Sequence, residues 1–124
     1  MPIIKSADAP HFDLPGLAVV GLAAPSRGAR ETSVWRLALA PRTPGTTHQV
    51  DREEIFVALA GRAVATVGAE TLELAAGDAL VVPAHQPFAL ANPDDQPFEA
   101  VAVFPVGGRA ALPDGAPFVP PWAS

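Results

Sequence analysis

His48 and Glu54 are the two residues of this chain whose types and spacing best suit chemistry. A neutral imidazole and a carboxyl group can work together in two ways. They can serve as general base and general acid toward one ligand, with pKa values pulled toward neutrality by burial and by each other, or they can donate N and O to a divalent cation such as Zn, Fe, Mn or Ni. Residues an even number of positions apart share one face of a strand. His48, Val50 and Glu54 are therefore expected to face one interior if the chain bends near Asp51 and Arg52. The chain has no cysteine, so thiolate chemistry and a disulfide framework are both excluded. Of the other two histidines, His11 in APHFDLPG reads as an exposed loop residue. His85 in PAHQP reads as a turn residue making a backbone contact, and it would have to fold back to join a site.

The elements that must position this pair read as short strands. Punctuation by Pro and Gly recurs at the rhythm of a sandwich or barrel, and the apolar runs are broken before they reach helical length. Strands are expected at Leu17 to Ala23, Thr32 to Ala40, Glu54 to Leu59, Arg62 to Val67, Thr71 to Leu74, Ala79 to Pro83, Phe88 to Ala91 and Phe98 to Val106. Alternation in the second of these turns Trp35, Leu37 and Leu39 toward the core. The strand Glu54 to Leu59 is apolar on both faces, so both faces are expected to be covered. PSRGARE (Pro25 to Glu31), AAGD (Ala75 to Asp78) and NPDDQP (Asn92 to Pro97) read as turns or loops.

Two motifs in this frame carry a resemblance. In PGTTHQVDREEIFVALAGRA, His48, Glu54 and Gly61 stand where the first cupin motif has its leading histidine, its glutamate and its glycine; Val50 stands where that motif has a second histidine. In GDALVVPAHQPFALAN, Gly77, Pro83 and Asn92 match the second cupin motif, while His85 replaces a glycine and Phe88 replaces its metal-binding histidine. The chain thus resembles a small, single-domain cupin with a degenerate metal-binding motif. That resemblance implies an all-β fold, the cupin double-stranded β-helix or jelly-roll barrel. Its motif core would span 44–105, with N-terminal strands in 1–43 and a Pro-rich tail in 106–124.

It also implies a small-molecule site in the barrel, with His48 and Glu54 as the catalytic or metal-binding residues. Three uses of the pair compete: a metal site rebuilt with His85 or His11, metal-free acid–base catalysis of isomerase or cyclase type, and an inherited buried pair in a protein that only binds a ligand. Val50, Phe56, Phe88 and Leu90 are expected to form the apolar wall of the pocket, which favours an apolar or aromatic ligand.

Composition narrows the partners. The 124 residues are 49% hydrophobic and 17% charged, with 15 prolines and 10 glycines, a profile of one small strand-rich core. The net charge is −5 and the eight Lys and Arg are scattered, so the clustered cations that nucleic acid requires are missing. No apolar run approaches membrane-spanning length and the first residues carry no signal-type apolar core, so a cytoplasmic protein without a membrane partner is expected. Trp35 and Trp122 read as core or interface anchors. The tail ALPDGAPFVPPWAS cannot be helical, yet Phe118, Val119 and Trp122 are too apolar to stay in water. It is expected to pack over a barrel end or to cross to a second subunit. Strands that are apolar on both faces point to a homodimer.

Overall fold

A computed structural model describes residues 1–124, and its strands follow the alternation of the sequence. They are β1 (His11–Leu14), β2 (Leu17–Ala23), β3 (Thr32–Leu39), β4 (Gln49–Val50), β5 (Glu54–Ala60), β6 (Arg62–Val67), β7 (Glu70–Ala75), β8 (Ala79–Val82), β9 (Phe88–Ala91), β10 (Phe98–Pro105) and β11 (Ala110–Ala111). Three short 3-10 turns, Ser6–Asp8, Pro25–Arg27 and Pro121–Ala123, are the helical segments. The chain is all-β, as the sequence implies.

The strands form two facing layers. One is a six-stranded antiparallel sheet in the order β1-β2-β3-β10-β5-β8. The other is built from the β7-β6-β9 sheet and the β11-β4 pair. These two pieces are joined where His48 and Phe88 bridge, so β9 continues into the β4 side of the layer. Period-two side-chain alternation sends one face of each strand inward. Trp35, Leu37 and Leu39 of β3, Phe56 and Ala58 of β5, and Phe98, Ala100, Ala102 and Phe104 of β10 are all buried in one core cluster.

Two turns show why motif positions matter even without a ligand role. Gly61 has φ +75°, and a Cβ there would lie 2.3 Å from the Pro97 carbonyl oxygen, so the β5 to β6 turn admits glycine alone. His85, at the second motif's glycine position, adopts φ +64°, the left-handed conformation that glycine takes without cost. Its backbone N–H donates to the Val50 carbonyl at 2.7 Å, fastening the β8 to β9 turn to β4. Asn92, 1% exposed, is equally structural. Its Nδ2 donates to the carbonyls of Leu39, Ala40 and Gln96, and its Oδ1 accepts from the Asp94 N–H.

The structure adds what the pattern hid. His11 is exposed but lies in β1 rather than a loop; β1 is an edge strand turned back on β2, with only Phe12 half-buried to signal it. The two-residue strands β4 and β11 are too short to show a period. The outer face of β5 is less covered than expected, with Ile55 and Val57 half-buried and Leu59 47% exposed.

Candidate functional site

The sheet layers bring His48 and Glu54 to the wall of one interior cavity from opposite sides. His48 reaches it from the layer of β9. Its backbone exchanges two hydrogen bonds with Phe88, 3.0 Å from His48 N–H to Phe88 O and 2.8 Å in return. The imidazole rests on the Phe88 ring, with centroids 4.2 Å apart. Nδ1 lies 2.9 Å from the Thr46 carbonyl oxygen, which can only accept, so Nδ1 carries the proton and Nε2 is left with a free lone pair. Burial lowers the His48 pKa below its ordinary value, outweighing the Thr46 bond that pulls the other way. The imidazole is therefore neutral at pH 7.

Glu54 opens β5, opposite Val82, in the six-stranded sheet. Strand alternation places it on the same inward face as Phe56 and Ala58, and it is 5% exposed. Its carboxyl group makes no hydrogen bond to the protein. The ion pairs of the chain, Arg42–Asp95, Arg62–Asp94, Arg62–Glu73 and Arg109–Asp51, lie elsewhere. Loss of hydration without a compensating partner pushes its pKa up to about 8, so at pH 7 Glu54 is mostly a neutral acid. No hydrogen bond or ion pair joins it to His48. Burial, and not mutual interaction, sets both pKa values, which departs from the sequence expectation.

The cavity between them has a volume of about 480 Å³ and an apolar lining, room for a ligand of two or three fused rings. Val50, Phe56 and Leu90, expected as pocket residues, line it. Phe88 does not. It is 1% exposed and packs behind the site against the rings of His48 and Phe56. His85 and His11 are both exposed and away from the cavity.

This donor set does not fit a tightly held metal ion. No third His, Cys, Asp or Glu joins His48 and Glu54 in a group that could bind one. The side chains at the positions of the missing ligands, Val50 and Phe88, have no donor atoms. Two protein donors, one of them protonated at neutral pH, fall short of the three or four that hold Zn, Fe, Mn or Ni.

Sequence reasoning missed the residues that close the cavity. Trp35, Phe104, Phe118 and Trp122 all line it, although the tryptophans read as plain core or interface anchors. The tail docks on its own chain: Phe118 pairs with Ala110, and the Pro121–Ala123 turn lies where Ser33 Oγ donates to the Ala123 carbonyl at 3.2 Å. The signal was available in the apolar character of Phe118, Val119 and Trp122, but a sequence cannot say which surface such a segment covers.

Known proteins share this architecture. The family model described as a cupin domain matches residues 35–104. The polyketide cyclase RemF from Streptomyces resistomycificus superposes with a TM-score of 0.73 at 18% identity, covering 85% of this chain and 79% of that one. KdgF from a Halomonas species gives 0.70 at 21% identity, covering 83% and 93%. The 7S globulin of Momordica charantia gives 0.78 at 19% identity, with 93% of this chain matching 38% of that one. No curated protein matches the chain in sequence. At these identities the likeness carries the fold.

Proposed function

The chain belongs to the cupin family, through a match over residues 35–104, and from that premise we propose that it binds an apolar or aromatic small molecule in its interior cavity. His48 and Glu54 are the polar contacts, and no resident metal is needed. The observation that carries this reading is the cavity of about 480 Å³ with an apolar lining. An apolar wall favours ring faces and alkyl surface, while two neutral polar groups set orientation without the cost of burying a charge. The neutral states also suit a ligand without net charge.

A second reading, acid–base catalysis, is favoured by one specific arrangement. Glu54 holds a proton and His48 Nε2 lacks one, and both border the same cavity. Toward an aromatic ketone, Glu54 would donate its proton to the carbonyl oxygen while His48 Nε2 takes a proton from the adjacent carbon, giving the enol. One protein that shares this fold is named as a polyketide cyclase. Incubating 6-acetyl-2-naphthol in D2O tests both readings. Deuterium entering its methyl group with wild type and not with Glu54→Gln, while binding persists, would establish catalysis. Binding that weakens in Glu54→Gln with no exchange in either protein would leave a binding module; no binding to wild type would sink both.

The outer face of the six-stranded sheet supports a homodimer. Register puts Val34, Val103, Ile55 and Val81 in one row across β3, β10, β5 and β8, with Val101 and Val57 in the next. Val81 is 52% exposed. A contiguous β-branched surface of this kind is usually covered in solution. Sedimentation at micromolar concentration should give twice the 12.7 kDa chain mass; the monomer mass would refute the dimer.

A further inference from the structure

Two charges interrupt the outer face of the six-stranded sheet. Along β2, β3, β10, β5 and β8, Arg36 and Glu99 are the charged side chains that alternation turns outward; His11 and Asp13 stand at the margin, on the edge strand β1. Because β3 and β10 are the middle pair of the order β1-β2-β3-β10-β5-β8, Arg36 and Glu99 sit at the centre of the face. Arg36 lies opposite Val101 and Glu99 opposite Ala38, which makes them diagonal neighbours about 7–8 Å apart. Neither takes part in an ion pair of the chain: those join Arg42 to Asp95, Arg62 to Asp94 and Glu73, and Arg109 to Asp51. Arg36 is exposed and Glu99 half-buried.

Any surface that covers the valine rows beside them also takes water from both charges, and a desolvated charge is tolerated only when paired. A partner surface must therefore offer an anion to Arg36 and a cation to Glu99 at the same spacing. The face itself has that pattern. When two copies face each other across a two-fold axis that lies between them and crosses the Arg36–Glu99 line at its midpoint, at right angles, Arg36 of each copy meets Glu99 of the other. That midpoint falls between β3 and β10, in the middle of the six strands, so sheet lies over sheet. Strands of four to eight residues at standard spacing give a face of about 600 Å² per copy, about 1,200 Å² for the pair, the lower bound of stable interfaces. We propose that this face is a two-fold interface between two copies of the chain in which Arg36 of each copy pairs with Glu99 of the other. This rests on the homodimer reading above and adds the axis and the contacts that select the partner.

The test is charge reversal, read by sedimentation across micromolar concentrations. Both side chains point away from the core, so Arg36→Glu and Glu99→Arg should fold as wild type does. Each single variant sets like charges against each other twice across the axis and should dimerise about a hundredfold more weakly or worse. The double variant Arg36→Glu/Glu99→Arg restores both pairs and should dimerise within about tenfold of wild type. An equimolar mixture of the two single variants should also dimerise, because both pairs then form between unlike copies; an Arg36–Glu99 pair within one chain cannot produce that rescue. Single variants that dimerise as wild type does, or that stay monomeric when mixed, would overturn the reciprocal pairs while leaving the homodimer intact. A monomeric wild type would overturn both.

Discussion

The two walls of the cavity are built on opposite principles. The sides carrying His48 and Glu54 belong to the two sheet layers: Glu54 is fixed by the β5–β8 ladder opposite Val82, and His48 by the bridge to Phe88 at the start of β9, itself a strand of the β7-β6-β9 sheet. The wall made by the tail has almost no ladder, one bridge between Ala110 and Phe118. It is held instead by side chains clasping its carbonyls, Arg27 on Trp122, Ser33 on Ala123 and Ser26 on Ser124. The ladder wall presents polar groups in apolar surroundings, and the clasped wall presents mostly aromatic surface. A sheet tolerates an inward carboxyl because its backbone is already satisfied. A strap without a ladder must supply its own adhesion, and Phe118 and Trp122 do so.

Removing the strap is the largest perturbation of that contrast. Deleting Pro117–Ser124 takes away Trp122, whose ring contacts Phe12 and Trp35, and Ala123, 2% exposed. Trp122 is half-buried, so its loss should cost less than the about 3–5 kcal/mol of a fully buried Trp side chain, and exposure of Trp35 and Phe104 adds to it. The urea midpoint should fall markedly while the sheets still fold. Because the tail docks on its own chain, the oligomeric mass should stay unchanged. An unaltered midpoint would show that the strap is a passenger. A shift to monomer would show that it serves a partner subunit, the other course the sequence leaves open.

The same contrast explains what the sequence made legible. Eight strands could be read because their alternation is dense, and β2, β6 and β9 end where the pattern ends. The motif positions could be read too, since Gly61, Gly77 and Asn92 answer to backbone needs that any chain of this fold must meet. His85 is instructive: the side chain departs from the motif, but the left-handed backbone persists at φ +64°. Motif resemblance therefore reported the turns faithfully and said less about the ligands, because Val50 and Phe88 keep the strand geometry while lacking donors. Phe88 could not be separated from Phe56 as a pocket residue, since which of two inward rings meets the cavity depends on the depth of packing between layers. That the strap docks is legible in Phe118, Val119 and Trp122; the surface it covers is not, because nothing periodic marks it. Its docking depends on Arg27 and Ser33, residues far away in sequence whose polar character gives no hint of a carbonyl partner.

Changing the charge state of the ladder wall gives a smaller effect that sharpens the contrast. The folded pKa of Glu54, about 8, stands above its ordinary value of 4.5. Below the ordinary value Glu54 is protonated in both states and stability is unaffected by it. As pH rises between the two values the unfolded chain releases this proton while the folded chain keeps it. Stability should then fall with a limiting slope of about 1.4 kcal/mol per pH unit, until the folded group also ionises near pH 8. His48, with its pKa lowered by burial, works in the other direction, removing stability as pH falls below its ordinary value of 6.5. Glu54→Gln should abolish the first dependence and leave the second, so that its stability no longer declines between pH 6.5 and pH 8. Urea unfolding of wild type and variant at half-unit steps from pH 5 to pH 8 measures this. Parallel curves would mean that Glu54 is ionised when folded and has found a cation. The apolar wall would then be the wrong description of its surroundings, and a metal or a cationic ligand would have to be sought at the site.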